Sequence, residues 1–162
     1  MVKEYIMNLE NQNEINKPKP NFDELMQKVE KEIAEKKARV KFLLDDGDFL
    51  DEDGYPTEQA LEIVEKWHWD DISGWFKFIE GLWAYHDFGW DEKDEPHEWS
   101  DKLTKYKERI VHRYYISTAG WSGNESIIHA MQRNEMMWHL NWVQSRRGGH
   151  YIFEEYHLAS DD

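Results

Sequence analysis

Apolar residues fall into two regimes along this chain. Phe22, Leu25, Val29, Ile33, Val40 and Leu44 recur at roughly helical spacing, with Lys and Glu between them. The pattern predicts one long amphipathic helix over 22–44. Asn21 can cap it, and Glu24 stands three residues later, as in a capping box. Thr57 is placed to cap a second helix over 58–67, with Leu61 and Val64 facing inward. A third, near 72–83, carries Trp75, Phe76, Ile79, Leu82 and Trp83 at three- and four-residue spacing. The segment 84–98 reads as irregular and acidic. Beyond it the chemistry changes. Residues 109–116 are β-branched and aromatic, which predicts a strand. Residues 124–134 read as a helix through Ile127, Ile128 and Met131. The runs 137–145 and 150–156 read as two more strands, joined by a turn in which Gly148-Gly149 accepts positive φ.

The expectation is an α+β fold. An N-terminal helical part, 21–106, packs on a C-terminal β-α-β-β part, 107–158, with a three-stranded antiparallel or mixed sheet. Residues 1–20 end in Lys17-Pro18-Lys19-Pro20 and are expected to be a flexible arm. A chain of 162 residues otherwise suits one domain.

Composition narrows the classes. Nine Trp and an aromatic share of 15% predict a core built from rings, with exposed rings as the alternative. The absence of cysteine excludes disulfides, thiolate chemistry and Cys-ligated zinc. Neither a signal peptide nor a membrane span is visible, so a cytoplasmic location is expected. The net charge of −14 is uneven: residues 45–101 hold 19 acids against three Lys, and residues 107–162 seven against six Lys/Arg. Such an acidic half repels nucleic acid and anionic membranes, so no direct binding to either is expected. It serves solubility, or imitates DNA toward a DNA-binding protein.

Glycine and acid punctuate 45–56 like a calcium loop. With Gly54 sixth, however, position one is Phe49 and position twelve is Ala60, so two required ligands are missing. Histidines show no HExxH or other ligand spacing, and GxSxG is absent. No metal site, cofactor or catalytic residue is expected. Whether the chain is an enzyme stays open, with a binding role preferred.

Two segments carry candidate chemistry. Ser117-Thr118-Ala119-Gly120-Trp121-Ser122-Gly123-Asn124-Glu125 lies between a predicted strand and helix. Helix N–H groups there can hold an anion, and Trp121 can stack on a ring. The same residues also read as a capped turn, with Ser122 as N-cap and Glu125 completing a capping box. Ser145-Arg146-Arg147-Gly148-Gly149-His150 sets two Arg in an acidic protein. Arg recognises phosphate through its planar fork, although a solvated hairpin tip fits as well. The predicted ligand-binding set is Ser117, Thr118, Gly120, Trp121, Ser122, Gly123, Asn124, Glu125, Ser145, Arg146, Arg147 and His150.

These two segments, with Trp142, resemble a family of small uncharacterised proteins of bacteriophages and prophages. The run Asp51-Glu52-Asp53-Gly54-Tyr55-Pro56-Thr57-Glu58 is similar too. The resemblance covers roughly 45–154, with Ala119 where Gly is expected. It implies a phage or prophage origin and action inside a bacterial cell, but no substrate. Two functions are therefore carried forward. One is a non-catalytic accessory protein that binds a phosphate-bearing small molecule, such as a nucleotide defence signal, in counter-defence. The alternative is an acidic inhibitor or DNA mimic acting on a host protein. Self-association through the helix 22–44 is a further expectation.

Overall fold

The computed structural model describes residues 21–45, 47–97 and 110–155. The arm expected over 1–20 lies outside them. The described residues divide into two units, one up to Ala34 and one from Glu35 onward. Helix α1 spans Phe22–Asp45. In the first unit it exposes Phe22, Leu25, Met26 and Val29. Asn21 caps it, its side-chain oxygen accepting from the Asp23 amide at 2.7 Å.

In the second unit the C-terminal turns of α1 bury Val40 and Leu43 beside Ile63. Arg39 forks onto Glu62 at 3.0 and 2.9 Å. An acidic turn follows, folded by Asp51, whose carboxylate accepts from the amides of Asp53 and Tyr55. Helix α2 (Glu58–Lys66) is capped by Thr57, as its sequence predicts. Helix α3 (Ile72–Leu82) is capped by Asp71 and buries Trp75, Phe76, Ile79 and Leu82. A single turn, α4 (His86–Gly89), leads into strand β1 (Trp90–Pro96). The C-terminal half runs β2 (Ile110–Ser117), α5 (Ser122–Arg133), α6 (Glu135–Asn141), β3 (Trp142–Arg146) and β4 (His150–Glu154).

The fold is α+β, and the four strands form one antiparallel sheet in the order β1-β2-β4-β3. One sheet face meets the helices. Phe76 of α3 stacks on Tyr114 of β2 at 4.0 Å between ring centroids. Trp138 of α6 meets Phe153 of β4, and Trp83 meets Trp90. Buried rings thus form much of the core, which also takes in Ile127, Ile128 and Met131 of α5.

Two sequence expectations need correction. The segment 84–98 contains a strand, so the sheet has four strands rather than three. Asp, Glu and Lys disfavour strands intrinsically, yet β1 pairs with β2 over seven residues. Charge suits an edge strand, which must resist pairing with other chains. The run 137–145 is not one strand. Its first part is helix α6, because Asn134 takes the cap position and its side chain accepts from the Met137 amide. Met137 and Asn141, one turn apart, are both buried, and Asn141 donates to the Met137 carbonyl at 2.7 Å. The strand propensity of Trp138 and Trp142 masked that helical spacing.

Among the described residues, no helix is long and apolar enough to cross a membrane. No group of three or more His, Asp or Glu among them could hold a metal ion.

Candidate functional site

The sheet brings the two sequence segments together. Ser117 at the end of β2 lies opposite His150 of β4, and His150 lies opposite Arg146 of β3. Directly opposite residues place their Cβ atoms about 4.5–5.5 Å apart, so these three side chains form one cross-strand row. Beyond the row the Thr118 amide donates to the Gly149 carbonyl at 3.0 Å. That contact needs glycine: a Cβ on Gly149 would lie 2.3 Å from the Thr118 hydroxyl oxygen, and its φ is +77°. The three-residue connection between β3 and β4 is thereby locked to the loop after β2.

Side chains alternate along a strand, so the face opposite the core is readable from the register. Ile116 and Tyr114 point to the helices, which leaves Tyr115 and Ser117 on the other face. The row next to Ser117–His150–Arg146 on that face is Asp91–Tyr115–Ile152. Helix α4 borders the same patch with Asp87 and Phe88. Together these residues line a cleft of about 590 Å³. That volume is within the range of small-molecule sites.

The chemistry of the cleft is mixed. Arg146 and His150 supply donors, Asp87 and Asp91 supply acceptors, and Phe88 and Tyr115 supply rings. Farther along the same face, Tyr115 donates through its hydroxyl to Glu95, and the Lys93 ammonium lies 4.5 Å over the Tyr115 ring. Arg113 bridges three strands, from Glu95 on β1 at 3.0 Å to Glu154 on β4 at 3.1 Å. The Tyr115 hydroxyl, and then Arg113 against the opposing effect of burial, holds Glu95 below the usual carboxylate range.

Arginine usage sets the hairpin apart. Arg39, Arg113 and Arg133 each hold a carboxylate. Arg146 and Arg147 are exposed, and neither makes an ion pair among the described residues. Among the described residues, no carboxylate is in direct ion-pair contact with either arginine, although Asp87 and Asp91 line the same cleft as Arg146.

Of the twelve predicted site residues, the cleft takes in Ser117, Arg146 and His150. The others lie outside its lining, and several have structural work. Thr118 is buried under Gly149. Ala119 and Gly120 both have positive φ, and the Trp121 amide closes the turn onto the Thr118 carbonyl at 2.9 Å. This is the pattern of a type I′ turn. The Trp121 ring lies on Tyr55 at 4.7 Å and covers Gly123, where a Cβ would come within 2.2 Å of it. Asn124 is fully buried and clasps Ala84, accepting from its amide and donating to its carbonyl. Ser145 accepts from the Trp142 indole at 3.0 Å. Ser122, Glu125 and Arg147 are exposed.

The expected capping box is not formed. Trp121, with extended φ and ψ, holds the N-cap position and makes no side-chain cap, so Ser122 is already the first helical residue. The tight turn fixes Trp121 there and moves the helix start one residue ahead of the Ser122–Glu125 arrangement.

Sequence reasoning missed Asp87, Phe88, Trp90, Asp91, Tyr115 and Tyr151 as cleft residues. The signal available was the unusual run His86-Asp87-Phe88-Gly89-Trp90 beside a charged strand. Comparison with protein-family models, curated proteins and solved structures found no match to this chain.

Proposed function

We propose that this protein binds a phosphate-bearing small molecule of the nucleotide class in the sheet-face cleft, without catalysing its turnover. The supporting observation is the cross-strand row Ser117–His150–Arg146, which opens a cleft beside two arginines that make no ion pair among the described residues. Arg146 and His150 hold the phosphate, and Ser117 adds a hydroxyl. Asp91 and Asp87 accept from sugar hydroxyls, the role acidic residues take toward a ribose. Phe88 offers its exposed ring to a base.

The motif resemblance supports a phage or prophage accessory protein acting inside a bacterial cell, with sequestration of a nucleotide defence signal as its use. A ligand that binds only the folded state raises the melting temperature. A thermal-shift screen of nucleotides, cyclic nucleotides and inorganic phosphate is expected to give a concentration-dependent rise. The reading fails if no phosphate compound shifts the transition at millimolar concentration. Turnover of a compound that binds would replace the binder with an enzyme.

A further inference from the structure

Four rings form a connected strip that the cleft does not explain. Phe88 meets Tyr85 at 5.6 Å, Tyr85 meets Trp121 edge-on at 6.3 Å, and Trp121 meets Tyr55 at 4.7 Å. Three of the rings are open to solvent, Phe88 at 74%, Tyr85 at 53% and Tyr55 at 39% exposed, and Trp121 is half-buried between Tyr85 and Tyr55. They come from three separate segments, the acidic turn, α4 and the loop before α5. A contiguous exposed apolar surface of this kind marks an interaction site.

The charge beside the strip selects the partner. Asp87 stands between Tyr85 and Phe88, and Glu125 lies one helical turn beyond Trp121. Glu52 and Asp53 precede Tyr55 in the turn. All four carboxylates are exposed, and none is in an ion pair among the described residues. No Lys or Arg lies within four residues of any of the four rings in sequence. Nucleic acid would stack on such rings, but its phosphates would meet these carboxylates. A second copy would bring another net charge of −14.

We propose that the strip docks an extended arginine-bearing segment of a basic partner protein. Guanidinium groups stack on the ring faces and pair with the flanking carboxylates, which a neutral peptide cannot do. The strip is distinct from the phosphate reading of the cleft and shares Phe88 and Asp87 with it.

The test uses the full chain and a fluorescein-labelled peptide of four Arg-Pro repeats, followed by anisotropy at physiological salt. The Lys-Pro and Gln-Pro repeats are the comparison peptides. The Arg peptide is expected to bind most tightly and the Gln peptide not measurably. Tyr85→Ala and Phe88→Ser are each expected to weaken Arg-peptide binding about tenfold, with the protein's charge unchanged. Phe88 is the most exposed of the four rings, so Phe88→Ser reports on the strip even if Tyr85→Ala fails to fold. Unchanged affinity in a folded variant overturns the proposal, because attraction to bulk negative charge would then account for binding. Equal binding of the Gln peptide overturns it too. So does self-association by sedimentation, or binding of a DNA oligomer, that these substitutions abolish while the Arg peptide does not bind.

Discussion

Ala119 shows how one side chain reports on the turn that positions the site. Its φ of +52° lies in the left-handed region, where a Cβ costs roughly 1–2 kcal/mol. Glycine removes that cost and returns about 0.5–1 kcal/mol of it as backbone entropy. Ala119→Gly is therefore expected to stabilise the protein by about 0.5–1 kcal/mol, read from the urea midpoint. A loss of stability would show that Ala119 has packing the turn needs. The same geometry explains why glycine is the expected residue there. Gly149 is the opposite case: positive φ and the Thr118 hydroxyl leave no room for a side chain.

At the scale of elements, β1 owes its existence to pairing more than to propensity. Arg113 ties it into the sheet through Glu95 and holds Glu154 on the other side. With Arg113 only 6% exposed, Arg113→Leu would leave both carboxylates without their common partner. The expected loss is about 3 kcal/mol by urea denaturation. A loss under 1 kcal/mol would mean that solvent replaces the guanidinium. This dependence also explains what was legible in the sequence. Helices α1 to α3 and strand β2 follow from local spacing, since Thr57, Trp75 and Ile79 carry their own signals. Strand β1 does not, because its residues favour a strand only once β2 lies beside them. Helix α6 was obscured by strand-forming Trp138 and Trp142. The predicted ligand-binding set already groups Ser117 with His150, but it takes the sheet pairing of β2 with β4 to set them opposite each other. The contribution of α4 and β1 to the cleft was not legible, because it depends on an edge strand with no local signal.

Across the whole molecule, excess negative charge is held in check by specific ion pairs. Glu62 is pulled down to about 2 by its hydrogen bonds with Arg39 and then Lys66. A carboxylate whose pKa falls on folding contributes stability above its unfolded value and loses it as pH drops through the folded value. Glu62→Gln should therefore lower the melting temperature at neutral pH. The gap from wild type should close as pH falls from about 4.5 to about 2. A gap independent of pH would assign the effect to packing. Among the described residues Arg146 and Arg147 form no such ion pair, and the functional account rests on that difference. The most direct test is calorimetric titration of nucleoside 5′-phosphates into the full chain and into Arg146→Ala. Wild type should bind saturably, and Arg146→Ala at least about tenfold more weakly, the scale of one charge-assisted hydrogen bond. Glu125→Gln, outside the cleft, should bind like wild type. Absence of binding to wild type, or equal affinity in Arg146→Ala, would contradict the account.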